Sequence, residues 1–495
     1  MSGASAFREA FMASDSKADD HFGDYNARQL RYEIYWAFFE NSAYRHIHRW
    51  AVKYKTDYGL YKYIRNIYNP AYRLGDFWQS HLMGGQLDPE AGDGSQSPSA
   101  LPITTDNAAL RPAIARLWRD SNWQANKDLL TLHGAVLGDC LIQPVDDVAR
   151  QKVYLRVVHP GTISAIEVDP FGNVKGYQIT ENRPDPRNPR GQPVTYIETA
   201  ERGEDDEIAF RTLLNGAPYA WNGQAAEWSE PYGFVPLVKI QHISMGLDWG
   251  WSELHPGLAR IREVDDLASK LSDQMRKNVD APMLLTGVTK PDTTPRPQNS
   301  QAQVSSPETG REEIPTLYGP AGSDVKFLIA PMDVNAALAH VGGILKELER
   351  DYPELQMDIW SASGDTSGRA LRVARQRTES KAQKRRPNYD DGLVRAQQMA
   401  IAVGGYRGYD PYRGFGLESY AAGDLDHSIG KRPVFASDPL DDLEYEKIFW
   451  EAANAAKLAG GMPALLKFLR GHGWSNEETA AIQSAPDNAP FTGYP

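Results

Sequence analysis

The chain has 495 residues, 41% hydrophobic and 24% charged, a composition typical of folded protein and a length too great for one compact core. Its 65 Asp+Glu exceed its 53 Lys+Arg for a formal net charge of −12, which argues against a surface that clings to nucleic acid in general but allows a local basic patch. A single cysteine, Cys140, excludes a disulfide framework and a multi-thiolate metal site, and no apolar run is long enough for a bilayer span.

In chain order, residues 1–24 are polar, without the basic and apolar regions of a signal peptide, and a flexible N-terminus on a reduced, soluble, cytoplasm-made protein is expected. Residues 25–83 carry a helical, strongly aromatic pattern, in which Pro70 interrupts or begins a second helix. His46 and His48 are two apart and point away from each other on a helix, so they read as surface or interface residues rather than metal ligands. Residues 84–107 are rich in turn formers and predict a linker or surface loop. Cys140 reads as a small buried side chain.

Helical periodicity returns over 107–139, and strand patterns follow in CLIQPV, KVYLRVVHP and TISAIEVDPFGNVKGYQIT, then in VTYIETA, EIAFRTLL and FVPLVKIQHI. Asp169–Asn173 predicts a hairpin turn. Its likeness to an acidic calcium loop fails because Pro170 and Phe171 stand where oxygen ligands are needed. The first half is therefore expected to be an α+β module.

From Ser252 the spacing predicts one long helix, with Leu254, Leu258, Ile261, Val264, Leu271 and Met275 recurring on one face and Pro282 closing it. MLLTGV reads as a strand, 290–324 is Pro/Ser/Gln-rich, and VKFLIAP reads as a strand again. A second helix follows with Val334, Leu338, Val341, Leu345 and Leu348 in register and Asp333 as its N-cap. A Ser/Gly/Asp/Thr loop leads into a basic helix over about 367–403, with a kink expected at Pro387. Two or three C-terminal helices are expected from 438, the last opened by a capping box of Ser475 and Glu478.

Motifs for catalysis are missing from the sequence. Gly364–Gly368 has the wrong spacing and no preceding strand for a nucleophile elbow, and no P-loop, H-E-x-x-H or Cys/His cluster occurs. The adjacent pairs Asp265-Asp266 and Asp390-Asp391 read as solvated helix faces. An enzyme is not indicated, and no metal or cofactor is expected. The unusual feature is the segment Ser367–Arg395, with nine cations against three carboxylates. Its cations do not form one clean stripe. Two readings stay open: arginines pairing with carboxylates of a neighbouring copy, or direct contact with nucleic-acid phosphates.

The order of these parts resembles the portal proteins of tailed double-stranded DNA bacteriophages of the long-tailed type. Val235-Pro236-Leu237-Val238 followed by Gly250-Trp251-Ser252-Glu253-Leu254 resembles the family's lead into its first stem helix, and Ala281-Pro282-Met283 resembles the exit from it. Ser367-Gly368-Arg369-Ala370-Leu371 resembles the head of the family's long helix after the tunnel loop. The resemblance covers most of residues 25–485, and departs from the family in the Pro/Ser/Gln-rich insertion.

The resemblance implies a mainly helical α+β portal fold in a ring oligomer. Its parts would be a wing (25–251), stem helices (252–281 and 333–356), a small β-containing clip (282–332) and a tunnel loop (357–367). A long kinked helix with its connection (368–437), a helical crown (438–485) and a tail (486–495) would complete it. It implies a channel of twelve copies at one capsid vertex of a virion assembled in the host cytoplasm, through which double-stranded DNA is packaged, retained and ejected. The terminase large subunit, the major capsid and scaffold proteins and a head–tail adaptor would be partners, with no membrane and no catalysis. Carried onto this chain, the loop residues Ser361, Ser363, Gly364, Asp365, Thr366 and Gly368 would brush DNA. Lys270, Arg276, Lys277 and Lys346 would line the channel wall. Arg369, Arg372, Arg375, Arg377, Lys381 and Lys384 would face DNA or a neighbouring subunit. A minor capsid or scaffold ring without DNA contact is the alternative, and a nucleic-acid-processing enzyme a third reading.

Overall fold

A computed structural model describes residues 25–46, 67–92, 99–186, 188–203, 205–279, 283–286, 316–319, 334–356, 368–435, 439–472, 474, 479–480 and 482. The described residues are mixed helix and sheet, about half helical, with nine α-helices and no closed barrel among them. The chain divides into two compact units, Met1–Arg432 and Pro433–Pro495.

In the first unit, helices α1 (Tyr25–Phe39) and α2 (Pro70–His81) supply the aromatic opening. Pro70 begins α2 rather than interrupting it, because its missing N–H costs nothing in the first turn, and Asn69 caps the helix by accepting from the Tyr72 amide at 3.0 Å. Helices α3 (Leu110–Asp120) and α4 (Trp123–Leu137) follow. Gly138 ends α4 with φ +94°, and a Cβ there would meet the Gly250 and Trp251 backbone at 2.7 Å, so only glycine serves both the turn and the close approach.

Strand β2 (Asp139–Asp147) then runs between β10 (Val238–Gln241) and β3 (Lys152–Val158), antiparallel to both. Cys140 lies buried in it. A second sheet takes the order β4 (Ile163–Val168), β5 (Val174–Arg183), β6 (Val194–Arg202), β7 (Ile208–Leu214) and β8 (Ala217–Pro218), with β9 (Glu227–Glu230) also paired to β7. The expected β4–β5 hairpin is present. Asp169 Oδ1 accepts from the amides of Phe171 and Asn173, each at 2.8 Å, which is turn chemistry and not ion binding.

Residues 84–107 depart from the expected surface loop. Ala91, Leu101 and Ile103 are buried, and β1 (Ile103–Thr104) pairs antiparallel with β13 (Ser428–Ile429), more than 300 residues away in sequence. Local composition reports turn formers and is silent on so distant a strand partner. Asp265 departs likewise. It is buried, with Oδ1 accepting from the amides of Ile67 and Tyr68 at 3.1 Å and Oδ2 from Tyr44 Oη at 3.0 Å. Asp390 is held by Arg432 through two bonds of 2.7 and 2.9 Å. Neither pair is simply a solvated face.

The first long helix, α5 (Leu258–Val279), starts six residues later than its apolar spacing predicts, after a 3-10 turn at His255–Gly257. Pro256 disfavours α geometry at His255, and Ser252 Oγ is already engaged by the Leu254 amide at 3.0 Å. Short strands β11 (Met283–Thr286) and β12 (Thr316–Gly319) pair in parallel. The latter has no expected counterpart, while VKFLIAP and Asp333 lie outside the described residues. The returning helix α6 (Val334–Asp351) is antiparallel to α5, since Arg260 near the start of one pairs with Asp351 at the end of the other.

Leu258, Ile261 and Leu348 enter one core with Tyr32 and Tyr35 of α1, Leu74 of α2 and Val136 of α4. Further along the helix pair, Met275 and Leu338 are exposed by about half. The longest helix, α7 (Gly368–Tyr406), runs unbroken through Pro387, whose ring is exposed, and packs across β2, β3 and β10. Short α8 (Leu417–Ala422) and β13 end the unit.

The second unit holds α9 (Pro439–Gly471), which breaks at Gly460 and Gly461, the latter at φ +65°, and resumes at Pro463. Ala453, Leu465 and Leu469 form its core with Phe449, Trp450, Phe468 and Trp474 around them. The two halves of α9 account for two of the two or three helices expected, and among the described residues Thr479, Ala480 and Ile482 are helical as well. Ser475 and Glu478 lie outside the described residues, as does His48.

Candidate functional site

Where the helix pair returns to the α/β body, four charged side chains from three segments meet in the interior. The segment before α5 supplies Glu253, which Ser252 helps to place. Ser252 Oγ lies 2.6 Å from the Val136 carbonyl and 3.0 Å from that of Ala135, and the Glu253 amide donates to Ala135 O at 3.0 Å. Glu253 is 3% exposed. The 3-10 turn Pro353–Gln356 after α6 supplies Glu354, and α7 supplies Lys381 and Arg385, one helical turn apart on the same face.

Arg385 donates from Nε and Nη2 to Glu253 Oε1 at 3.0 and 2.8 Å. Lys381 Nζ lies 2.9 Å from Glu253 Oε2 and 2.6 Å from Glu354 Oε1, bridging the two carboxylates. The Tyr352 and Trp78 rings stand 5.0 and 5.5 Å from the same ammonium, adding cation–π attraction. Tyr352 Oη also donates to the Glu253 carbonyl at 2.8 Å. His242 completes the enclosure, with Nδ1 2.7 Å from Tyr389 Oη and Nε2 3.3 Å from Glu253 Oε1, a contact too poorly aligned for a hydrogen bond.

Burial alone would raise the Glu253 carboxyl, but His242, Lys381 and Arg385 outweigh it and hold this group well below the usual carboxylate range. Burial lowers His242, with Glu253 pulling the other way. Burial likewise pushes Glu354 up, with Lys381 opposing and the Glu253 charge assisting.

Beside this cluster, Arg386 ties α7 to distant backbone. Its Nε donates to Leu82 O at 3.1 Å, Nη2 to His81 O at 3.2 Å and Nη1 to Arg432 O at 2.6 Å, so it caps the carbonyl end of α2.

The basic-helix residues therefore divide. Lys381 takes both its carboxylates from its own chain rather than from a neighbouring copy. Arg377 and Lys384 are exposed and Arg375 is half-buried. Gly368, Arg369 and Arg372 belong to the first turns of α7, with only their backbone described. Of the channel-wall cations, Lys346 is exposed, and Lys270 is exposed with Nζ 2.6 Å from Asp266. Arg276 and Lys277 lie on α5 with their side chains outside the described residues. Ser361, Ser363, Gly364, Asp365 and Thr366 lie outside the described residues altogether.

Sequence reasoning singled out neither Glu354 nor Arg385 as a site residue, and quoted Glu253 only within a motif. Nothing local distinguishes Glu354 from exposed acids such as Glu347, since only the fold closes α7 over it. Among the described residues no group of three or more His, Cys, Asp or Glu is placed to hold a metal ion. No helix among them is long and apolar enough to cross a membrane. No protein-family model matches the chain, and a comparison with curated proteins finds no significant match.

Proposed function

We propose that the chain is a phage portal protein. In this reading copies of it, twelve in the family it resembles, close into a channel at one capsid vertex of the virion. Double-stranded DNA is packaged, held and ejected through it, and the terminase large subunit, capsid and scaffold proteins and a head–tail adaptor attach to it. The protein guides DNA and catalyses nothing.

One observation carries the reading: two antiparallel helices, α5 and α6, linked through a segment containing a small β pair, are rooted in an α/β body and followed by a 39-residue helix. That order supports the reading because it runs in the same sequence as the wing, stem, clip and long helix expected of a portal. The half-exposed Met275 and Leu338 suit it, since a stem packed against neighbouring copies covers apolar residues that one chain leaves bare. The buried cluster supplies a mount that begins immediately before residues 357–367 and is completed about four turns into the helix after them.

Negative-stain microscopy of the purified full-length chain tests the proposal. The expected result is an annulus of about twelve subunits with an axial hole wide enough for a duplex. Stable monomers, or closed particles without a hole, would overturn it.

A further inference from the structure

The two carboxylates of the junction are unequally served. Glu253 receives two bonds from Arg385 and one from Lys381, with His242 beside it. Glu354 has the shared ammonium on Oε1, while its Oε2 is buried without a protein partner and its side chain is wholly enclosed. A buried carboxylate with half its acceptors unmet is costly when ionised, and a proton on it removes most of that cost. Lys381 does not then lose its place, because Glu253 still holds it.

We propose that Glu354 is a proton-binding lock: with its carboxyl neutral, the turn Pro353–Gln356 stays closed against α7, and ionisation loosens it. This goes beyond the portal reading and does not depend on it.

The direction of the effect follows from the two states of the turn. Closed, Glu354 binds its proton more tightly than a solvated glutamate does, because burial raises it and the Glu253 charge adds to that, with Lys381 opposing. Open, it behaves as an ordinary carboxyl group. The closed state is therefore favoured at acid pH and loses that advantage as pH rises through the raised value. Neither the groups around Glu354 nor His81 of α2, which packs against the turn, mimic this: burial lowers His81, so it would weaken the closed state at acid pH instead. Glu253 is held far below the range, and Lys381 is held above its usual value by the two carboxylates against the desolvation that lowers it. Tyr352 is raised by burial. His242 sits enclosed beneath Trp78 and Tyr389 and is lowered by burial, so any effect it has runs the other way, weakening the closed state at acid pH.

The test is amide hydrogen exchange on the full-length chain between pH 5 and pH 8, corrected for intrinsic exchange. It follows the last turn of α6 with Pro353–Gln356, and the start of α5 as an internal control. In wild type the opening of the first segment should increase with pH, by up to about tenfold per unit for one proton, while the control shows no such step. Glu354→Gln keeps the shape without the charge and should hold acid-like protection at every pH. A flat wild-type profile, protection that improves as pH rises, or an unchanged pH step in Glu354→Gln would overturn the proposal. If the variant does not fold, the comparison of the two wild-type segments still decides.

Discussion

At the scale of single residues, the closest approach to a glycine among the described residues joins Gly134 to Tyr389. A Cβ built on Gly134 would stand 1.7 Å from Tyr389 Oη, a position that ring holds through its bond to His242. Gly134 lies in the interior of α4, where alanine has the better helix propensity, so propensity and packing oppose each other. Propensity favours alanine by about 1 kcal/mol, whereas overpacking a close-packed core costs about 1–3 kcal/mol. Because the clash is with a buried hydroxyl already committed to His242, packing should win. Gly134→Ala is expected to lower stability by about 2 kcal/mol in denaturant titration. Tyr389→Phe removes the offending oxygen, so the double variant should lose less than the sum of the two single losses. Strict additivity would show that the ring, and not its hydroxyl, sets the approach.

Among secondary-structure elements, legibility in the sequence followed the range of the interactions. The strands from CLIQPV to FVPLVKIQHI and the Asp169 turn were readable because alternation and turn chemistry act over a few residues. The β1–β13 pairing and the burial of Asp265 were not, since both depend on partners roughly 200 to 300 residues away. The same limit hid the anchor of α7. Arginine and lysine density flagged the helix, yet charge counting cannot tell Lys381, locked between Glu253 and Glu354, from exposed Lys384. That division bears on residues 357–367. Glu354 lies just before them and Lys381 about four turns into α7 after them, so shortening 357–367 leaves both partners of the mount in place. Deleting Ser363–Thr366 is expected to leave rings intact by microscopy while reducing packaged or retained DNA at least tenfold in a packaging assay. Full packaging with full retention would remove DNA contact from this loop.

For the whole molecule, charge is the quantity that connects fold to the proposed work. A conduit for DNA must attract it weakly, because each neutralised phosphate releases counterions and six such contacts shift affinity by about a thousandfold across a moderate salt range. A bore lined uniformly with cations would hold the polyanion in place. A chain of net charge −12 that commits Lys381 and Arg385 of its basic helix to an internal ion cluster has fewer cations left to grip DNA. Lys270 illustrates the remainder: exposed on α5, it is already partnered by Asp266 and offers DNA a partly compensated charge. Replacing Lys270, Arg276, Lys277 and Lys346 together with glutamine should leave ring formation unchanged, since the described pair, Lys270 and Lys346, is exposed and the exposed Lys270–Asp266 ion pair contributes little to stability. It should change the rate of DNA transit several-fold, with the largest effect at low salt, where unscreened charges reach furthest. Packaging and ejection rates measured at two ionic strengths check this. A rate change of the same size at both would mean that these side chains act by shape. Loss of rings would place them between subunits instead of along the channel.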